Sequence, residues 1–190
     1  MSKKKLDTEL ILIYWKQRHW KSMFATILAC DRISRLYWNV AIKFNWFDVV
    51  HKIKHHLQFE SDFKIGSYSR PWYMIVDEIW KNFNSKKAMT KKNEVFSDFI
   101  FLQWKYDLST IWIAQRWSSI PIDLKELATQ IFEIKKINRS WTYPVFKIIR
   151  KELLDDMETL EFISEETFDM IWFLKKIDVT YDTLETSIID

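Results

Sequence analysis

Residues 93–118 (NEVFSDFIFLQWKYDLSTIWIAQRWS) restrict the possible folds more than any other part of this 190-residue chain. Apolar residues recur there at helical spacing, as at Phe96, Phe99, Ile100 and Trp104, and further apolar residues fall between these positions. Apolar side chains therefore surround most of the predicted helix, and a helix of that kind is normally packed on all sides by other elements. The sequence predicts a central helix over 93–118, with the remaining helices around it.

Residues that break helices are scarce, because glycine occurs once and proline three times. This composition favours helices over a β protein with many turns. Apolar residues at helical spacing predict further helices over 6–30, 31–45, 46–59, 71–83, 123–134, 142–153 and 164–176, and whether 6–45 is one kinked helix or two stays open. The predicted fold is an all-α, single-domain bundle of about seven or eight helices over 1–177, followed by an acidic tail over 178–190.

The remaining composition restricts the cellular compartment. The single cysteine, Cys30, excludes an internal disulfide bond and fits a reducing compartment, and we interpret it as a small core residue. The first apolar run is interrupted by acidic residues and lacks the features of a secretory signal. No uncharged apolar run reaches about 18 residues, so no transmembrane span is predicted. We expect a cytoplasmic protein without a membrane partner.

Charge is divided unequally along the chain, although the net charge is only +3. Residues 1–151 contain 27 basic and 14 acidic residues, which gives +13, whereas residues 152–190 contain 2 and 12, which gives −10. Such an asymmetry is typical of chains that bind polyanions, or whose acidic region covers a basic surface.

A basic surface interleaved with aromatic rings is one hypothesis that follows from this division. The rings can stack on bases while the cations contact phosphates. The alternative is that the rings lie in the core and the cations are solvated. The candidate residues for binding a nucleic acid or another partner are Arg18, Lys21, Arg32, Arg35, Trp38, Lys52 and Lys54.

The acidic region offers a second candidate surface for a partner. Its carboxylates lie close together in the sequence, at Asp155, Asp156, Glu158, Glu161, Glu165 and Glu166. They form a solvated surface, dock onto the basic part of this or another copy, or mimic a polyanion for a partner protein. Charge complementarity alone does not separate these three interpretations.

A weaker pattern is the partial likeness of 123–154 to a DNA-binding helix-turn-helix. The segment between its two predicted helices is too long for that motif, whose turn spans about 3–4 residues. The residues that would face DNA are Arg139, Lys147, Arg150 and Lys151.

Histidine spacing suggests a metal site only weakly. His51 and His55 lie one helical turn apart, with Asp48 nearby, and imidazoles at that spacing can share a divalent ion. No further ligand completes a coordination shell, so exposed histidines are the preferred interpretation. No metal and no cofactor are predicted, and a metal-dependent hydrolase at these histidines is the weakest alternative function.

The predicted function follows from the absence of a recognisable active site. No nucleophile–base pair stands out, and a single glycine argues against phosphate-binding loops. Tryptophan and arginine are enriched at binding hot spots. We therefore predict a non-enzymatic interaction protein, a small helical subunit, inhibitor or adaptor, that binds another protein through an aromatic-rich helical face. The alternative is a nucleic-acid-binding subunit that uses the basic half and is regulated by the acidic region. A homo-oligomer is compatible with either function.

Overall fold

The computed structural model of the protein describes residues 8–14, 21–30, 35–38, 42–44, 50–52, 72–79, 91–106, 108–138, 145–156, 159–169 and 179–181. In these ranges the chain forms ten β-strands, three α-helices and two short 3-10 turns, at Gln103–Tyr106 and Trp117–Ser119. In chain order the larger elements are β1 (Leu10–Tyr14), α1 (Lys21–Cys30), β2 (Arg35–Trp38), β3 (Ile42–Phe44), β4 (Val50–Lys52), β5 (Trp72–Val76), α2 (Lys91–Leu102), β6 (Leu108–Ala114), α3 (Ile122–Glu126), β7 (Gln130–Lys136), β8 (Val145–Leu153), β9 (Leu160–Asp169) and β10 (Val179–Tyr181).

Eight strands form one mixed sheet in the order β4-β2-β5-β6-β1-β7-β8-β9. The strands from β4 to β7 are parallel to one another, whereas β8 and β9 are antiparallel and extend the sheet beyond β7. Strand β10 pairs with β3 in a separate two-stranded sheet. The parallel arrangement brings the carboxyl ends of β5, β6 and β1 to the same edge of the sheet.

Helices cover both faces of the central strands. Alternate residues of a strand point to opposite faces, and Leu10, Leu12 and Tyr14 belong to one buried cluster with residues of α2 and α3. On α1, Phe24 is buried and meets Phe132 of β7 edge-on, with ring centroids 5.3 Å apart. The architecture is therefore a three-layer α/β arrangement.

The predicted all-α bundle is wrong, and the reason lies in how the strands are buried. Strands β1 (LILIY) and β6 (LSTIWIA) are buried along their whole length. A strand buried on both faces is apolar throughout and lacks the alternation of a half-buried strand, so its sequence resembles that of a buried helix segment. Apolar spacing alone therefore assigned these segments to helices.

The predicted central helix over 93–118 shows the error most clearly. Helix α2 ends at Leu102, the turn Gln103–Tyr106 follows, and β6 begins at Leu108. The apolar residues that fell off the helical stripe include Ile113, which lies in β6 and is 1% exposed. Apolar residues surrounded the predicted helix because seven of its residues, Leu108–Ala114, form a strand buried on both faces.

The other predicted helices are corrected in the same way. The segment 6–30 divides into β1 and α1, and 123–134 divides between α3 and β7. Strands occupy the described parts of 31–45, 46–59, 71–83 and 142–153, apart from the residues after β5, and β9 occupies the first part of 164–176.

The predicted boundary at residue 177 stays a prediction. The structure places Val179–Tyr181, within the predicted tail, in strand β10. Within the described ranges, the helices are too short and too polar to cross a membrane.

Candidate active site

Polar side chains follow three neighbouring strands at the carboxyl edge of the sheet. Lys21 and Ser22 begin α1, the helix after β1, while Asp77 and Glu78 come directly after β5, and Gln115 directly after β6. In open α/β sheets, ligands bind outside the carboxyl ends of the strands, near the point where the strand order changes direction. Strand β1 lies between β6 and β7 and leads to β2 on the far side of β5, so the order changes direction there.

A hydrogen bond joins the two polar pairs. The hydroxyl of Ser22 donates to Asp77 Oδ2 over 2.5 Å, and the backbone N–H of Glu78 donates to Asp77 Oδ1 over 2.8 Å. The Asp77 carboxylate is thus fixed between the first turn of α1 and its own strand end. One carboxylate oxygen of Asp77 therefore lies beside the Ser22 hydroxyl, and Mg²⁺ binds to oxygen ligands in proteins.

Burial favours the neutral forms of both Asp77 and Lys21. Burial raises the pKa of the Asp77 carboxyl above its ordinary value, although the hydrogen bonds from Ser22 and from the Glu78 amide oppose that shift. Lys21 is 8% exposed, and burial lowers the pKa of its ammonium while the negative charges of Asp77 and Glu78 oppose that change. Shifted pKa values of both signs in one place are typical of functional sites.

Glu78 is held in an uncommon backbone conformation. Its φ is 53°, in the left-handed region that residues other than glycine, asparagine and aspartate seldom adopt. The side chain of Gln115 contacts it from the end of β6, with Nε2 donating to Glu78 Oε1 over 3.5 Å. Strain of this kind costs about 1–3 kcal/mol and is concentrated at functional sites.

A buried glutamate of β7, Glu133, forms ion pairs beside the carboxyl end of β1. Glu133 lies beside Tyr14 in register and is 2% exposed, with ion pairs of 2.6 Å to Lys151 and 2.8 Å to Lys135. The Lys151 ammonium lies 5.7 Å from the centre of the Tyr14 ring. Burial would raise the pKa of Glu133, but the two lysines outweigh it and hold the pKa below its ordinary value.

The sequence after β1 carries two of the four defined positions of a known phosphate-binding pattern. In the P-loop pattern G-x-x-x-x-G-K-[ST], backbone N–H groups cradle phosphates, the lysine reaches the β- and γ-phosphates, and the hydroxyl binds Mg²⁺. Residues 15–22 read WKQRHWKS, so Lys21 and Ser22 match, while Trp15 and Trp20 stand at the two glycine positions.

These residues fit a Mg²⁺–nucleotide ligand in part. A serine hydroxyl and an aspartate carboxylate are the metal ligands that P-loop proteins use, and Ser22 and Asp77 carry the same groups beside the Lys21 ammonium. The two tryptophans depart from the pattern, because glycine permits close approach of the backbone to a ligand where a Cβ atom would intrude.

Of the predicted basic residues, the structure brings only Lys21 to this site, within the described ranges. Arg35 and Trp38 lie on β2, and Lys52 is the register partner of Trp38 on β4. Arg18, Arg32 and Lys54 lie outside the described residues, as do Asp48 and His55 of the weak metal pattern. Their predicted role in partner binding stays a prediction.

The predicted acidic surface lies mainly on one hairpin at the sheet edge. Asp155 and Asp156 are exposed in the turn between β8 and β9. The carboxylates of Glu161, Glu165 and Glu166 are exposed on β9, where Glu165 forms a 2.8 Å ion pair with Lys147, and Glu158 lies outside the described residues. Lys147, Arg150 and Lys151 lie on strand β8, so this segment does not form the second helix of the helix-turn-helix considered for 123–154.

Four residues of the site, Ser22, Asp77, Glu78 and Gln115, were missed from the sequence, and a signal for them exists. Asp77 and Glu78 follow the apolar run WYMIV, Ser22 comes shortly after LILIY, and Gln115 follows β6. Asp77, Glu78 and Gln115 are polar residues placed directly after an apolar run, and Ser22 lies in the first turn of the helix that follows another, which is where parallel strands place functional residues. Because these segments were interpreted as helices, the ends of the strands were not recognised. The scarcity of glycine also argued against a phosphate-binding loop.

Comparisons with known proteins identify the fold. No protein-family model matches the chain. No curated protein matches it either. Among solved structures it is similar to the genome packaging NTPase B204 from Sulfolobus turreted icosahedral virus 2 in complex with ATP-gammaS, at 13% identity and a TM-score of 0.54, over 83% of this chain and 97% of that chain. The sulfate complex of that NTPase gives 12% identity and a TM-score of 0.54, over 83% and 96%.

A protein from another source has the same fold. The flagellar accessory protein FlaH from Methanocaldococcus jannaschii is 14% identical, with a TM-score of 0.50 over 84% of each chain. At these identities the likeness shows the fold alone. The chain therefore shares the α/β fold of these proteins.

These findings correct the predicted function. The non-enzymatic interaction protein was predicted because no catalytic constellation was visible, and the prediction that the chain is not an enzyme rested on the same absence. Both predictions are wrong, because the fold is shared with a solved NTPase and places Lys21, Ser22, Asp77, Glu78 and Gln115 at one edge of its sheet.

Proposed function

We propose that this protein binds a nucleoside triphosphate together with Mg²⁺ at the carboxyl edge of β1, β5 and β6, and hydrolyses its terminal phosphate. The observation that carries the proposal is the hydrogen bond between Ser22 and Asp77. It joins the two residues that hold Mg²⁺ in P-loop NTPases, which lie 55 positions apart in the sequence.

Ser22 and Asp77 hold the metal side of the ligand. Bound there, Mg²⁺ would neutralise negative charge that develops on the phosphates during the reaction. The Asp77 carboxylate must be ionised for this role. Its pKa is raised by burial, so we expect metal binding to weaken at a less acidic pH than an ordinary aspartate would give.

Lys21 and the start of α1 hold the phosphate side. The first backbone N–H groups of a helix have no partner within the helix and carry partial positive charge, which favours an anion. Lys21 adds a full charge at the first residue of α1. Because its ammonium is buried beside two carboxylates, a phosphate group that replaces water there would stabilise the charged form.

Glu78 and Gln115 are placed to act on the attacking water. A carboxylate next to the metal ligand can accept the proton of that water, while an amide orients it. The contact between Gln115 Nε2 and Glu78 Oε1 links these two groups across neighbouring strands. The strained φ of Glu78 fixes the direction in which its side chain leaves the backbone.

Release of inorganic phosphate from ATP tests the proposal directly. We would compare the unchanged chain with a variant that carries Trp15→Gly and Trp20→Gly, called the glycine variant below. Mg²⁺-dependent phosphate release by either form, lost on Glu78→Gln, supports the proposal. Its absence from both forms, when circular dichroism shows them folded, contradicts it.

The partners predicted from the sequence stay proposals beside this activity. The similar viral protein is a genome packaging NTPase, and a nucleic acid is therefore one partner to test for this chain. Arg35 on β2 with Lys52 on the neighbouring β4, and the acidic hairpin of β8 and β9, are candidate surfaces for a nucleic acid, a protein or a second copy of the chain. A cytoplasmic location likewise stays a prediction.

A further inference from the structure

The six residues between β1 and α1 have an unusual composition for their position. Tyr14 ends β1 and Lys21 begins α1, so the connection spans 15–20 and has the length of the P-loop pattern. It holds tryptophan at 15 and 20, the two glycine positions of that pattern. These six residues lie outside the described ranges, and the inference rests on their identities and on the two elements that they join.

The composition of the whole chain shows the same imbalance. Glycine is about 7% of an average protein, which corresponds to about 13 residues in a chain of this length. This chain contains 1 glycine and 11 tryptophans, so the two types together number 12. Tryptophan is ordinarily rare, and an excess of it that matches the deficit of glycine indicates an exchange of one residue for the other.

One codon connects the two residues. UGA is a stop signal in the standard genetic code, but some organisms read it as tryptophan and others read it as glycine. A gene from the second group, translated by the rules of the first, yields tryptophan at every UGA-coded glycine. The excess of tryptophan and its position in the phosphate-binding pattern then have one common cause.

We infer that positions 15 and 20 are glycine in the protein as its own host makes it, and that both are encoded by UGA. For the role of these glycines the inference rests on the proposed function, because a nucleotide site gives the physical reason for them. With glycine at both positions, residues 15–22 read GKQRHGKS, which matches the pattern throughout. The backbone could then approach the phosphates without an intervening Cβ atom.

Not every tryptophan needs the same origin. Trp112 of β6 is fully buried, and its indole Nε1 donates a 2.9 Å hydrogen bond to Thr110. An indole so enclosed fits the core as tryptophan. The inference therefore concerns positions 15 and 20, where the chemistry of a phosphate site requires glycine.

The test is the mass of one peptide from protein isolated from its native host. A protease that cleaves after acidic residues releases 10–31, which in this sequence contains both tryptophans and no glycine. We expect a mass lowered by two tryptophan-to-glycine differences, and UGA at both codons. A mass with two tryptophans, or UGG at either codon, overturns the inference. This readout does not depend on nucleotide binding, so it stands apart from the proposed function.

A second measurement tests why glycine is needed. The glycine variant is expected to bind Mg²⁺–ATP about tenfold or more tightly than the unchanged chain. Trp104→Gly, at a tryptophan that is 50% exposed, is the matched control and should leave the affinity unchanged. Equal affinity of the unchanged chain and the glycine variant would overturn the stated reason for glycine while leaving the proposed function intact.

Discussion

The hydroxyl of Ser22 donates a 2.5 Å hydrogen bond to Asp77 Oδ2 and so connects the first turn of α1 to the carboxyl end of β5. Strands β1 and β6 bring these elements together, because β6 lies between β5 and β1 in the sheet. The contact is thus a product of the strand order. It brings together a hydroxyl and a carboxylate, the two groups that hold Mg²⁺ in P-loop NTPases.

Removal of the Ser22 hydroxyl should weaken the Mg²⁺-dependent part of nucleotide binding. In the glycine variant, Ser22→Ala is expected to lower the affinity for Mg²⁺–ATP about tenfold or more, because one metal ligand is lost. Titration of a fluorescent ATP analogue with and without Mg²⁺ measures this loss of affinity. Ser97→Ala is the matched control, since Ser97 of α2 donates a comparable 3.1 Å hydrogen bond to Asp123 of α3. Equal losses in the two variants would mean that Ser22 has only a structural role.

Neutralisation of Glu78 should stop hydrolysis and leave binding in place. We expect Glu78→Gln to lower the rate of phosphate release about 100-fold or more, because general-base catalysis contributes about 10²–10⁴. Nucleotide affinity should change little, since Glu78 does not hold the phosphates. The exposed Glu126 of α3, changed to Gln, is the control. Unchanged turnover in Glu78→Gln would remove Glu78 from the mechanism.

The ion pairs of Glu133 should make a pH-dependent contribution to the free energy of unfolding. The folded-state pKa of Glu133 lies below its ordinary value of 4.5, so the ionised form is favoured by folding. Its contribution is complete above pH 4.5 and is lost as the pH falls through the lower, folded-state pKa. Glu133→Gln should therefore cost about 1–3 kcal/mol at neutral pH and progressively less in acid.

Urea unfolding of both proteins between neutral and acidic pH measures this difference. Glu152→Gln, at an exposed position on β8, is the control and should show no such trend. If the difference in free energy of unfolding between Glu133→Gln and the unchanged protein stayed constant with pH, the assigned role of the ion pairs would be contradicted.

The core of the sheet depends strongly on Trp112. Its side chain is fully buried in β6, and its replacement by alanine leaves a large cavity and removes the hydrogen bond to Thr110. We expect Trp112→Ala to lower the free energy of unfolding by about 3–5 kcal/mol. Trp104→Ala removes a half-exposed ring and should cost much less. Similar losses for both, measured by urea unfolding, would contradict the burial of Trp112.

The sequence allowed the buried residues to be found but not the elements that contain them. Leu108, Ile111 and Trp112 belong to the apolar segment 93–118 that was predicted to be surrounded by other elements, and all three are buried. Their assignment to a helix failed because β6 is covered on both faces and shows no alternation. Only the length of the run, and the polar Gln115 at its end, distinguish such a strand from a helix segment.

The site was hidden for a different physical reason. Lys21 and Ser22 were visible in the sequence, but the phosphate pattern is recognised by its glycines, and tryptophan stands at both positions. Asp77 and Glu78 follow a strand that was predicted as a helix, so their place at a sheet edge was not considered. The Ser22–Asp77 contact joins segments 55 positions apart and depends on the strand order, which local patterns do not determine.

The binding of Mg²⁺–ATP by Lys21 variants tests the central claim most directly. Lys21→Ala and Lys91→Ala each remove a lysine from the first residue of a helix, α1 and α2 respectively, so they form a matched pair. In the glycine variant, titration of a fluorescent ATP analogue should show saturable, Mg²⁺-dependent binding that Lys21→Ala weakens about tenfold or more and Lys91→Ala leaves unchanged. Equal affinity in the Lys21→Ala and Lys91→Ala proteins, or no binding by the folded glycine variant and the unchanged chain, would contradict a nucleotide site at this edge of the sheet.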